Sequence, residues 1–266
     1  MRKISVKNII KPCVALTVVL CCFLNSFCAN AASCSCKVYN WYCKRNDAHE
    51  IPALDRELAF IKDYDAYYVN ENASDKVIYL TFDAGYENGN VEKILDTLKS
   101  HNATAAFFIL ENLIIRNPEL VKRMADEGHL VCNHTAKHPD MSKINDIENF
   151  SAQLERLEKV YFELTGTEMA KIYRPPQGRF SKENLELAKK LGYKTVFWSF
   201  AYADWDNERQ PDCERSLEKL LKHTHSGEIL LLHPTSATNA AILDEFMTTL
   251  ESEGYRFGTL NELWEK

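Results

Sequence analysis

No surplus of basic residues runs through this chain: 32 Lys and Arg stand against 38 Asp and Glu, a formal charge of −6. A surface of that sign repels a phosphate backbone, which excludes nucleic acid as the partner. A disulfide framework is also missing. Nine cysteines occur, but Cys13, Cys21, Cys22 and Cys28 lie in the N-terminal apolar stretch. Cys34, Cys36, Cys43, Cys132 and Cys213 remain, an odd and scattered set that leaves room for one bridge among Cys34, Cys36 and Cys43. A zinc site on Cys34 and Cys36 would need a second pair of ligands, and none is present. The apolar run from Cys13 to about Phe27 is shorter than the ~20 residues that a spanning helix needs. Low-complexity tracts, short repeats and a linker that would ask for two domains are absent as well.

What is there begins with a leader. Arg2, Lys3, Lys7 and Lys11 precede that apolar run, and Ala29-Asn30-Ala31 follows it, the order of a secretory signal peptide over residues 1–31. The rival is a retained membrane anchor, which the shortness of the run disfavours. Removing 1–31 takes four basic and no acidic residues, so the charge goes from −6 to −10, 28 basic against 38 acidic. At 266 residues and 45% hydrophobic, the chain can bury one substantial α/β core.

From residue 32 to 75 the text is polar, aromatic and irregular, read as an N-terminal arm with a short helix near Leu54 to Lys62. Its aromatics, Trp41 among them, suit packing onto the domain better than sugar stacking. From 76 to 266 strand-like runs begin near Val77, Thr104, His129, Lys171, Lys194, Glu228 and Tyr255, with helical patterns between them. That cadence predicts repeated βα units and a parallel sheet or barrel. Ser181 is placed to cap a helix whose inward stripe is Leu185, Ala188 and Leu191, with Gly192 ending it. Ile242, Leu243, Phe246, Met247 and Leu250 share one face of a later helix, followed by Gly254.

Unusual polar residues gather just past these strands. Asp83 follows the run Val77–Phe82; it either carries chemistry at a strand mouth or caps the helix starting near Asn88. His134 and His138 are four apart, which suits one divalent ion if the segment makes a helical turn, or they are two loop histidines without a metal. Thr135 stands where a zincin would have its general-base Glu, and two ligands are too few for a structural zinc site. Arg174-Pro175-Pro176-Gln177-Gly178 joins a fixed cation to a rigid turn. Arg174 can hold Asp83 ionised by a bidentate pair, and Gln177 supplies the first backbone N–H after two prolines, suited to an oxyanion. The same text also fits a structural salt bridge and a loop turn. Asp204 and Trp205 follow another strand, and His233 follows the most apolar one. A buried Asp204 would keep His233 protonated as a general acid. If the strands are parallel, all of these residues meet on one rim.

Together the segments resemble the polysaccharide deacetylases of carbohydrate esterase family 4. TFDAG at Thr81 is similar to the family's TFDDG, HTAKH at His134 to its H-S/T-x-x-H, and RPPQG at Arg174 to its R-x-P turn. ADW ending at Trp205 and LLH ending at His233 complete the set in family order. NWYCKRN, DAYYV, TFDAGYENG and FWSFAYADWD look like the muramic δ-lactam de-N-acetylases of spore-forming bacteria. That resemblance implies a distorted, incomplete (β/α) barrel of about seven parallel strands, in a single α/β domain with an N-terminal arm. The implied reaction is removal of the N-acetyl group from N-acetylmuramic acid in peptidoglycan, leading to muramic δ-lactam, by a secreted, monomeric enzyme of the cell envelope. Carried over by position, Asp83 is the base, His134 and His138 hold a divalent metal (Zn, Mn, Mg or Co), and Arg174 orients Asp83. Asp204 tunes His233, which protonates the leaving amine, while Gln177 and Trp205 contact substrate. Ala84 departs from the family's second Asp, so the ion is expected to be weakly held. Ala201 also replaces an Asp, and Gln177 an aromatic. N-acetylglucosamine deacetylation and a silent glycan-binding protein are the competing expectations.

Overall fold

The computed structural model describes residues 37–73 and 75–264. The leader over 1–31, with Cys34 and Cys36, lies outside them. The chain enters through β1 (Tyr39–Asn40), a 3-10 helix over Arg56–Tyr64, and β2 (Ala66–Tyr67). The helix expected near Leu54 to Lys62 is therefore of the tighter 3-10 type. The Asp55 carboxylate accepts from the Glu57 N–H at its start, and Asp65, at φ 51°, ends it.

The repeating units follow as β3 (Val77–Ala84), α1 (Val91–Ser100), β4 (Ala106–Ile109), α2 (Glu111–Arg116), α3 (Pro118–Asp126), β5 (Leu130–Asn133) and α4 (Ile147–Thr165). After them come β6 (Ala170–Tyr173), β7 (Arg179–Phe180), α5 (Lys182–Lys190), β8 (Lys194–Val196), β9 (Phe200–Ala201) and α6 (Cys213–His223). Then come β10 (Glu228–Leu232), α7 (Ala237–Ser252) and β11 (Arg256–Phe257), and a 3-10 helix over Leu260–Leu263 closes the described chain. Of the seven expected strand starts, Val77, Lys171, Lys194 and Glu228 fall on a strand, while Thr104, His129 and Tyr255 stand one or two residues ahead of β4, β5 and β11. The two-residue members β2 and β9 are too short to leave an alternation in the sequence.

The main sheet runs β2-β8-β6-β5-β4-β3-β10-β9, with β11 also beside β3. Every pairing in it is parallel. Strands β4 and β10 are buried along their whole length, as sheets covered on both faces require. Strand β8 is second from one end of the order and β9 is at the other, yet only Phe197, Trp198 and Ser199 separate them in the chain. The sheet thus curls into an incomplete barrel, and its strands deliver their C-terminal ends to one rim.

Two layers of side chains hold it. Phe82, Phe107 and Leu230 face α1 and α7, whose Ile94, Leu98, Ile242, Phe246 and Leu250 are buried against them. The opposite strand face packs Tyr79, Phe108, Ile172, Val196 and Ile229 together inside the curl. Each such aliphatic or aromatic side chain contributes roughly 1.5–3 kcal/mol. Ser181 caps α5 with a reciprocal bond from Asn184, and Leu185 and Ala188 are buried. Gly192 and Gly254, just past α5 and α7, sit at φ 81° and 85°, which an L side chain resists. Trp41 is 5% exposed and stacks on Phe197 at 4.3 Å between centroids, so the arm packs as expected of its aromatics.

Candidate active site

Asp83 is the one residue of β3 that is not fully buried, and it points into the rim. It caps no helix, since α1 begins behind Asn90. Instead its Oδ1 accepts from Arg174 Nη1 at 2.8 Å. Arg174, at the end of β6, has no exposed surface. Its other N–H groups donate to the Val196 carbonyl at 3.0 Å, Thr81 Oγ1 at 2.9 Å and the Phe197 carbonyl at 3.2 Å. The guanidinium also lies over the Phe108 ring at 4.0 Å. The pair with Asp83 is therefore single rather than bidentate, because the rest of the fork is committed to the barrel wall. Burial pushes the Asp83 carboxyl up. The Arg174 charge, helped by His134 and His233, more than offsets this and holds it below the usual carboxylate range.

His134 directly follows β5, and its Nδ1 lies 2.9 Å from the Arg174 carbonyl. A carbonyl only accepts, so Nδ1 carries the proton and Nε2 presents a lone pair. That lone pair faces Asp83 Oδ2 at 3.5 Å. Burial pushes His134 down to about 4, leaving two acceptors face to face at neutral pH. A cation would satisfy both, so the donor chemistry fits a metal at this point. The His138 ring stands 4.9 Å from that of His134, centroid to centroid. The segment makes no helical turn. Thr135 and His138 adopt positive φ of 71° and 56°, and this left-handed loop brings the rings together. Among the described residues no three His, Cys, Asp or Glu side chains are grouped as a metal site. Ala84 adds only a methyl group, so the set is incomplete and open to water or substrate.

The third cluster lies between β9 and α7. Asp204 is fully buried, and its Oδ1 meets His233 Nδ1 at 2.8 Å while Oδ2 accepts the His233 backbone N–H at 2.8 Å. Burial alone would lower the His233 pKa; the hydrogen bond and charge of Asp204 win and raise it. Asn239 was not singled out from the sequence. Its Nδ2 donates to Asp204 Oδ2 at 2.6 Å and to the His233 carbonyl at 3.1 Å, and Tyr202 OH bonds its Oδ1. Only the Ser236-x-x-Asn239 helix-start spacing hints at it, and that pattern reads as capping. Thr81 and Phe108, which hold Arg174, likewise read as ordinary strand residues.

Asp83, His134, His138, Gln177, Trp205 and His233 all line one cleft of about 550 Å³. Gln177 stands at φ 60° on the turn after Pro176. Gly178 is needed there: a Cβ would come 2.8 Å from the Trp198 ring and 3.2 Å from Trp41. Trp205 is 62% exposed and forms one wall. Arg174 and Asp204 stand behind the surface and touch it only through Asp83 and His233.

Comparison with known proteins places the chain in a family. The family model for polysaccharide deacetylase matches residues 70–196. Peptidoglycan-N-acetylmuramic acid deacetylase PdaA of Bacillus subtilis is 40% identical over 225 residues, 84% of this chain and 85% of that protein. Peptidoglycan-N-acetylglucosamine deacetylase PgdA of Listeria monocytogenes is 37% identical over 191 residues, 72% of this chain but 39% of that one. The structure of B. subtilis PdaA, a family 4 carbohydrate esterase, superposes with a TM-score of 0.82 at 39% identity, covering 85% of this chain and 97% of that one. A shared fold, a matching family model and identity across most of both chains leave one conclusion: the chain belongs to the polysaccharide deacetylase family, among the hydrolytic N-deacetylases of carbohydrate esterase family 4.

Proposed function

We propose that the chain removes the N-acetyl group of N-acetylmuramic acid in peptidoglycan, after which the freed amine closes on the lactyl carboxylate to give muramic δ-lactam. The observation that carries the reaction type is the single cleft holding an Arg174-bound carboxylate beside an Asp204-bound imidazole. The muramic substrate is supported by the likeness to PdaA, which extends over 85% of that protein. Asp83, ionised by Arg174, takes a proton from the attacking water. The Gln177 N–H receives the oxyanion, and His233 passes its Nε2 proton to the departing amine. Trp205 stacks against the sugar ring. A divalent ion held by His134 and His138 would supply carbonyl polarisation and a more acidic water, a weakly bound helper given Ala84. The enzyme is read as secreted to the cell envelope, as a monomer whose partner is the glycan strand.

Peptidoglycan stripped of stem peptides, incubated with the protein after metal removal and re-addition of single divalent ions, tests this directly. Acetate and lactam are expected with at least one ion. An Asp83→Asn variant is expected to release acetate at least ~100-fold more slowly, the scale of a lost general base. Full release by that variant removes Asp83 from its role. The likeness to PgdA favours a second reading, N-acetylglucosamine as substrate; mass spectrometry of the product sugars locates the amine and decides. Glycan binding without acetate release under any ion would instead favour a silent binding protein.

A further inference from the structure

Beside the cleft lies a second hollow of about 270 Å³, which shares Trp198, Ala201, Tyr202 and Trp205 with it. Its far wall comes from the N-terminal arm: Tyr42, half exposed, and Arg45. Arg45 Nη2 donates to the Ala201 carbonyl, and the guanidinium lies 5.0 Å above the Phe200 ring. Both partners fix the side chain, and neither cancels its charge. Position 201 is where the resembled family carries Asp; Ala201 brings no carboxylate to neutralise Arg45 from the shared wall. A cation is thus held, on an acidic protein, at the lip joining a catalytic cleft to an aromatic-walled hollow.

Resting on the muramic reading above, we infer that Arg45 binds the lactyl carboxylate of the sugar whose acetamide enters the cleft. On muramic acid the acetamide and the lactyl ether stand on neighbouring ring carbons. A ring stacked on Trp205 with its acetamide between Asp83 and His233 projects the lactyl group sideways, toward the adjoining hollow. A planar guanidinium matches a carboxylate with two parallel hydrogen bonds. N-acetylglucosamine has a hydroxyl at that place and gains nothing from the charge. Arg45 is on this view a specificity residue that touches substrate away from the reacting atoms.

The test compares three glycans: chains with free lactyl carboxylates, the same chains with those carboxylates amidated, and N-acetylglucosamine oligomers. For Arg45→Ala the preference for the free-carboxylate chain, as a ratio of kcat/KM, is expected to fall about fivefold, through KM, at low salt. Arg45→Glu should lower it further, and rising ionic strength should erode the wild-type preference but not that of Arg45→Ala. The same ratio read as equilibrium affinity on metal-stripped protein serves where turnover is absent. A wild-type protein that never distinguishes the three glycans overturns both the substrate reading and this one. A wild-type preference that survives intact in Arg45→Ala overturns the Arg45 assignment alone.

Discussion

Arg174 fixes the electrostatics of the cleft because its surroundings give it no freedom. Four acceptors and the Phe108 ring surround one fully buried guanidinium. Replacing it by Met leaves Asp83 without its cation and three acceptors empty. Loss of one member of such a pair costs about 3–5 kcal/mol, to be read from urea denaturation. Lys at 174 should rescue little, since one ammonium cannot span those directions. The same scale governs pH. Asp83 is held below its usual range and His233 above its own, so acetate release should plateau between the two. In the proposed acid role His233 acts in its protonated form, so activity should be lost as pH rises through its raised pKa. Asp204→Asn removes the charge that raises it, so the alkaline limb of kcat/KM should move to lower pH while the acid limb stays. An unmoved alkaline limb would detach Asp204 from His233.

At the scale of elements, two short loops position what the strands cannot. The left-handed residues Thr135 and His138 fold the segment after β5 so that its rings face the cleft. The turn after Arg174 depends on Gly178, whose φ of 64° and contacts with Trp198 and Trp41 admit no side chain. Gly178→Ala should lose about 1–3 kcal/mol in thermal or urea unfolding and should shift Gln177 in the cleft. That effect should exceed the ~1 kcal/mol expected for uncapping α5 by Ser181→Ala. These loops explain part of what sequence reading missed. Spacing puts His134 and His138 four apart and suggests a helical turn, whereas two positive-φ residues do the same work with no pattern to announce them.

Across the whole molecule, the catalytic rim has a counterpart at the opposite end of β10. Glu228 and His225 are both buried, 3.9 Å apart, with Glu228 Oε1 and His225 Nε2 lacking partners. Burial pushes Glu228 from 4.5 up to about 8 and His225 from 6.5 down to about 4. Between about 4.5 and 8 the folded Glu228 keeps a proton that the unfolded chain has released, so its contribution to stability falls as pH rises. His225 works oppositely between about 4 and 6.5, where only the unfolded chain is protonated. The two offset each other at mildly acid pH, leaving a net decline from about 6.5 to 8. Glu228→Gln should flatten that decline and gain stability over the wild type near pH 8, measured as Tm against pH. An unchanged slope in the variant would place the decline elsewhere.

The sequence by itself determined the βα cadence, the strand ends and the residue types standing past them. Apolar periodicity and strand-breaking polar residues are local properties written every few positions. It also carried the family motifs, since those are contiguous words. Only the tertiary structure decided that Arg174 gives Asp83 one hydrogen bond and the barrel wall three. It alone placed Asn239 behind Asp204 and brought Arg45 of the arm beside Ala201. Those contacts join residues far apart in the chain, and which of many possible partners a side chain meets is settled only when the sheet curls and the arm packs across it.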